Sequence, residues 1–220
     1  IDISSGDPNS FAYLPERLVV ERALPQTGLA GHNRDSACGF CLRGTAFTPD
    51  GKTLLVARMG DGGIAGFDVA TWTYLGTVTG EKPTPRHLVP SADGEWLFLS
   101  SNRSGYVSKI PLAPLIASLR AVKGGSVEIE GWESAYVGGG ARTIALSPDE
   151  KIIYTAVNGR SELVAVDAAS MEVISRVRTD SYTVGLGVSP DGKQVWTTSQ
   201  GKSGKGGNSV CVYDVSVASP

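Results

Sequence analysis

FTPDGKTLLVA at residues 47–57 returns three times along the chain, as PSADGEWLFLS at 90–100, LSPDEKIIYTA at 146–156 and VSPDGKQVWTT at 188–198. The aspartates of these phrases are Asp50, Asp93, Asp149 and Asp191, spaced by 43, 56 and 42 residues. Repetition at such a period marks an array of similar supersecondary units. A second phrase places an aspartate 18 residues further on, Asp68 in GFDV and Asp167 in VAVDA. The second unit carries Pro111 there. In the fourth unit the gap stretches to 23 and ends at Asp214, because GKSGKGGN is inserted at 201–208.

Each unit reads as strands. A short alternating segment precedes the aspartate, Pro-Asp-Gly-Lys is turn chemistry, and a β-branched and aromatic run follows, such as Lys151 to Val157. A Gly/Asn/Ser turn leads to a third strand ending at the second aspartate, and then to a fourth, such as Met171 to Arg178. Four antiparallel strands every 42 or 43 residues are the size of a propeller blade, whereas helical solenoids would show 3.6-residue apolar spacing, absent here. Four residues before each turn aspartate stand Ala46, Val89, Ala145 and Gly187, small side chains that suit innermost strands crowded around an axis. The expected fold is therefore all-β, a β-propeller with units starting near Arg43, Arg86, Arg142 and Val184. The extra length of the second unit falls on 112–123, where Leu112, Leu115, Ile116, Leu119 and Val122 share one helical face behind Pro114. A helix packed on the propeller edge is expected there.

The last unit stops after its third strand, near 217, while residues 17–24 read as a lone fourth strand. Together they would complete one blade of a single domain over 1–220; alternatively, four blades belong to a longer propeller. Ile1 leaves open a removed leader or an excerpt of a longer chain. A composition of 41% apolar and 19% charged residues is ordinary for a folded soluble chain, and 28 Gly with 12 Pro favour many tight turns. A net charge of −2 gives no global pull toward nucleic acid or anionic membrane. The longest mostly apolar stretch, 110–119, is too short to span a bilayer.

The Pro-Asp-Gly-Lys turn followed by an aromatic-bearing strand, as in Tyr154 to Asn158 or Phe98 to Asn102, resembles the YVTN repeat family, the YncE-like, surface-layer-type propellers within the WD40/YVTN-like superfamily. The resemblance covers residues 43–217. It implies about seven blades, export in bacteria, and a binding or scaffold role at the cell envelope, hence an extracytoplasmic location. Thr84-Pro-Arg-His-Leu88 also resembles a phrase of lactonase-type propellers acting on phosphorylated sugar lactones. The acidic residue such enzymes place after a later strand is replaced here by Asn102, Asn158 or Gln200.

Chemistry is sought on the face opposite the Pro-Asp-Gly turns. Seven residues before the turn aspartate stand Arg43, Arg86 and Arg142, with Val184 in the fourth unit. Arg58, His87 and Arg103 are expected on the same face. Converging guanidiniums suit a carboxylate, a phosphate, an acidic sugar or a partner's acidic segment. The alternative is that each arginine ties its blade to the next through backbone carbonyls. The insertion 29–42 carries His32, Asp35, Cys38 and Cys41, for which a local disulfide, free thiols, redox chemistry or a weak metal site are the readings, with Cys211 left over. No nucleophile elbow, phosphate loop or dinucleotide fingerprint is present, so no cofactor is expected. Three functions remain in view: a non-enzymatic binding or scaffold propeller, a lactonase using Arg86, His87 and Arg142, and a purely structural envelope component.

Overall fold

The computed structural model describes residues 6, 7, 9, 18–21 and 39–216. Four sheets succeed one another along the chain. The first holds β1 (Leu42–Phe47), β2 (Thr53–Arg58), β3 (Ile64–Asp68) and β4 (Tyr74–Thr79) in sequential antiparallel order. The second opens with β5 (Pro85–Pro90), β6 (Trp96–Ser101) and β7 (Tyr106–Pro111). After it come α1 (Leu112–Ala121), β8 (Ser126–Glu128) and β9 (Glu133–Tyr136). The third holds β10 (Ala141–Leu146), β11 (Ile152–Val157), β12 (Glu162–Asp167) and β13 (Val173–Arg178). The fourth has three strands, β14 (Thr183–Val188), β15 (Gln194–Ser199) and β16 (Ser209–Asp214). These are propeller blades. They converge on their first strands, β1 touching β5, β5 touching β10 and β10 touching β14.

The repeated phrase earns its place through a hydrogen-bonded relay. Thr48, Ser91, Ser147 and Ser189 each donate their hydroxyl to the turn aspartate two residues on, at 2.5–2.6 Å. The same carboxylate oxygen accepts the backbone N–H of Lys52, Glu95, Lys151 or Lys193. Each hydroxyl in turn accepts an N–H from the opening of the second strand, as Ile152 to Ser147 at 3.0 Å. Ser/Thr-x-Asp thus closes the turn with side chains in place of further backbone bonds. The four turns share one face: Gly94 lies against Pro49, Gly192 lies against Pro148, and Glu150 accepts the N–H of Ala92 at 2.9 Å.

Alternation along the strands buries both faces of a central blade. Leu55, Ala57 and Ile64 of the first blade meet Leu88, Leu97 and Leu99 of the second. Phe98 and Val107 meet Ile153, Val157 and Val164 of the third. Tyr154, Leu163 and Ala165 meet Val195 of the fourth. Lys109 crosses one of these seams, its buried ammonium donating to the carbonyls of Ala168 and Ala169 at 3.0 and 2.7 Å and resting 4.8 Å from the Trp96 ring centroid.

The helix ends two residues before the expected 123 and buries Leu112, Leu115 and Leu119. Leu119 occupies the space a Cβ at Gly66 would need, so the helix seats directly on the first blade. The insertion also supplies β8, which pairs parallel with β4 and makes the first sheet five-stranded. The sequence reading contained no such strand. Of the stretch 17–24, only residues 18–21 are described; they form no strand, and Leu18 and Val20 pack beside Val56, Ala65 and Phe67 of the first blade. No helix among the described residues is long and apolar enough to cross a membrane.

Candidate functional site

All four innermost strands are irregular at one repeat position. Leu42 faces Arg58 and Thr45 faces Val56, so Arg43 and Gly44 together oppose one residue. Between Pro85 and His87 the extra residue is Arg86; between Ala141 and Ile144 the same offset holds Arg142 and Thr143; between Thr183 and Gly185 it is Val184. A bulge leaves its residue outside the regular ladder and re-aims the side chain. The arginines read from the repeat are therefore bulge residues on consecutive, touching strands, at the end of the blades opposite the Pro-Asp-Gly turns.

Several bonds between blades at this level are made by the neighbours of the arginines. Ser100 Oγ donates to the Arg142 carbonyl at 2.5 Å, and Asn102 Nδ2 to the Ala141 carbonyl at 3.0 Å. Thr143 Oγ1 donates to the Val184 carbonyl at 2.7 Å. His87 Nδ1 accepts the N–H of Ile144 at 3.3 Å. At Gly44 the approach is closest, since a Cβ there would stand 2.6 Å from the Arg86 carbonyl oxygen.

Arg43, Arg86 and Arg142 are half-buried residues. Arg43 donates to its neighbour's carbonyl at Leu42, at 3.3 Å, and Arg86 reaches the Met59 sulfur at 3.4 Å. The guanidinium of Arg142 has no hydrogen-bond or ion-pair partner among the described residues. His87, also half-buried, is held below the usual imidazole range by burial, with the charge of Arg86 acting in the same direction. With Nδ1 accepting a backbone N–H, the neutral ring carries its proton on Nε2 and is a donor there. The ensemble Arg43, Arg86, His87 and Arg142 is thus rich in donors.

Arg58 stands apart from this group. It is 5% exposed, donates to Thr77 Oγ1 at 2.9 Å, pairs with Glu21 and Asp61 at 3.4 Å each, and stacks 4.2 Å from the Phe40 ring centroid. Its charge is used inside the first blade, and it also lowers the cost of keeping Glu81 buried nearby, whose carboxyl burial pushes up. Arg103 sits exposed on the β6–β7 turn, its backbone N–H bound to Thr84 Oγ1 at 2.8 Å. That turn adjoins the start of β5, so Arg103 lies at the rim of the arginine face.

His32 and Cys38 lie outside the described residues. Cys41 is buried and disulfide-bonded, so it supplies no thiolate to a metal, while Cys211 is free. Among the described residues no three His, Cys, Asp or Glu side chains are grouped to hold a metal ion. The bulges were not foreseen from the sequence. The spacing of seven residues between arginine and turn aspartate, constant through three units, is the trace they leave in it.

No protein-family model matches this sequence, and no curated protein matches it. Solved structures do resemble the fold. Hydrazine synthase from Kuenenia stuttgartiensis superposes with a TM-score of 0.67 at 22% identity, over 86% of this chain and 50% of that one. A functionally unknown protein from Desulfotomaculum acetoxidans gives 0.58 at 12% identity, over 79% and 51%. A "putative 6-phosphogluconolactonase" from Bacteroides uniformis gives 0.57 at 20% identity, over 79% and 50%. The chain spans about half the length of these structures. At such identities the likeness concerns the fold.

Proposed function

We propose that this chain is a ligand-binding portion of a propeller, whose bulged inner strands offer Arg43, Arg86 and Arg142, with His87 between them and Arg103 at the rim, to an anionic small molecule or to an acidic segment of a partner protein. The observation that carries this reading is the division of labour at the seam. Hydroxyl, amide and imidazole groups, with the Arg86 guanidinium on Met59, tie blade to blade, and among the described residues the guanidinium of Arg142 takes no part in it. Charge-assisted bonds from such groups contribute about 1.5–3 kcal/mol each when partly desolvated. The four-copy turn and aromatic strand support placing the chain among YVTN-repeat propellers of the bacterial envelope, and the disulfide at Cys41 supports an oxidising, extracytoplasmic compartment.

Calorimetric titration with inorganic phosphate, citrate and 6-phosphogluconate tests the reading. Arg142→Ala should weaken binding by about ten- to a hundredfold at an unchanged melting temperature. Equal affinity across the Ala variants of Arg43, Arg86 and Arg142 ends it. A lactonase is the second reading, favoured by the resemblance to the Bacteroides structure. Against it, His87 spends its acceptor nitrogen on Ile144 and has no lone pair left to serve as a base. Turnover of 6-phosphogluconolactone would decide for the enzyme.

A further inference from the structure

A second row of cations lies outside the bulged arginines, on the turns between second and third strands. Arg103 stands on the β6–β7 turn of the second blade, and Arg160 on the corresponding β11–β12 turn of the third; both are exposed. Lys82, exposed on the link from β4 to β5, adjoins the first of these turns, its carbonyl accepting the Ser101 hydroxyl at 2.9 Å. Arg160 makes no ion pair among the described residues. Carboxylates at this end of the blades are engaged elsewhere: Glu81 accepts the N–H of Gly63, Glu162 pairs with Arg176 at 3.4 Å, and Asp180 accepts the N–H groups of Ser181 and Gly207.

The link from β9 to β10, Gly138-Gly139-Gly140, runs between the two arginine-bearing turns and leads into the bulge at Arg142. One turn holds it from the second blade, where the Gly105 carbonyl accepts the N–H groups of Val137 and Gly138 and the Asn102 carbonyl accepts that of Gly140. The other holds it from the third, Asn158 donating its N–H to the Gly140 carbonyl at 3.0 Å. The Arg160 side chain lies over the link, so that a Cβ at Gly138 would stand 2.7 Å from its Cδ. The N–H of Gly139 has no partner among the described residues. The outer end of the link is aromatic. Tyr136, last residue of β9 and 51% exposed, meets Tyr106 edge-on at 5.2 Å between centroids, with Lys82 Nζ 5.0 Å from the Tyr106 ring centroid. Both blades are four-stranded and each is flanked on either side by another described blade.

We infer that this strip takes an oligosaccharide of uronic acids, laid from the Tyr106–Tyr136 pair across the glycine link to Arg142. The inference rests on the anion-binding reading above and names its ligand class. A uronic acid fits both parts of the strip: its carboxylate accepts the paired donors of a guanidinium, and its C–H face packs on an amphipathic tyrosine ring. Linked rings carrying one charge each match cations spread from rim to bulge, and each further ring binds as a tethered neighbour of the last. A compact phosphate reaches only part of this array. An acidic peptide satisfies Arg103 and Arg160 and leaves the tyrosine pair unused.

Calorimetric titration with galacturonate, tetragalacturonate, a tetraglutamate peptide and inorganic phosphate tests this. Tetragalacturonate should bind at least about tenfold more tightly than galacturonate, and more tightly than the peptide. The double variant Arg103→Ala and Arg160→Ala, at exposed turn positions, should weaken tetragalacturonate binding by about tenfold or more with an unchanged circular dichroism spectrum. Its phosphate binding, centred on Arg142, should stay as it was. Tyr136→Ala should weaken the sugar and spare the peptide. Equal affinity for galacturonate and its tetramer, or a double variant that holds the tetramer as well as the parent does, overturns the inference while phosphate binding still upholds the anion site. Tighter binding of the peptide also overturns it and assigns the strip to a partner protein. A chain that binds neither phosphate nor tetragalacturonate overturns both this inference and the anion site beneath it.

Discussion

His87 and Ile144 meet across the seam between the second and third blades, the imidazole Nδ1 accepting the backbone N–H of Ile144 at 3.3 Å. The bond is available only to a ring unprotonated at that nitrogen, and burial holds His87 in that neutral state below the ordinary imidazole range. The unfolded chain therefore binds a proton that the folded chain refuses. Stability is highest above pH 6.5 and falls as the pH drops through that value toward the folded pKa. Urea unfolding at pH 7.5 and 5.5 should show this loss, and His87→Gln should largely remove it. An equal loss in the variant would assign the effect elsewhere.

Two arginines should show opposite phenotypes. Arg58→Ala removes a buried guanidinium that bonds Thr77, pairs with two carboxylates and stacks on Phe40, and is expected to cost roughly 2–4 kcal/mol of stability in chemical denaturation. Arg142→Ala should leave the unfolding midpoint in place and act on anion binding alone.

Gly44→Ala tests the closeness of the inner strands. Its Cβ would press on the Arg86 carbonyl oxygen, a backbone atom with little freedom to retreat, so about 1–3 kcal/mol of destabilisation is expected. Gly187→Ala, on the innermost strand of the last blade with open space around it, is the matched control and should be tolerated. Thermal unfolding of the pair reads the difference.

The turn aspartates set a separate, acidic transition. Hydroxyl donation from Thr48, Ser91, Ser147 and Ser189, followed by a backbone N–H, holds Asp50, Asp93, Asp149 and Asp191 below the usual carboxylate range. Their contribution is present above about pH 4 and is lost as the pH falls through their folded values. Asp149→Ala should lower the melting temperature at neutral pH and flatten its decline in acid, while leaving the His87 transition untouched.

The blades were legible because the Ser/Thr-x-Asp relay needs fixed residue types at fixed spacing, so Asp50, Asp93, Asp149 and Asp191 announce it four times. Asp68, Pro111, Asp167 and Asp214 likewise close their third strands as their spacing implies. β8 was hidden because it pairs with β4 across 49 residues and has only three residues of its own, too few for a periodic pattern. Arg58 pairs opposite Leu42 at the expected end of its blade, but its burial was hidden for another reason. A count of residues assigns it to the arginine face, yet its neighbours Phe40 and Glu21 come from a segment with no repeat to align it. Arg43, Arg86 and Arg142 were found by position alone; that they stand in bulges depends on backbone pairing, which residue types do not encode.

The bulge shared by all four inner strands makes the proposed recognition surface separately editable. A residue that bonds to no partner strand can be exchanged without changing the register of the sheet around it, and the fourth unit already does so, with Val184 where the others have arginine. Each blade then contributes one interchangeable letter to the face it shares with its neighbours. Variants at 43, 86, 142 and 184 should behave as a combinatorial alphabet on a constant scaffold, and new ligand preferences on this fold are to be sought there first.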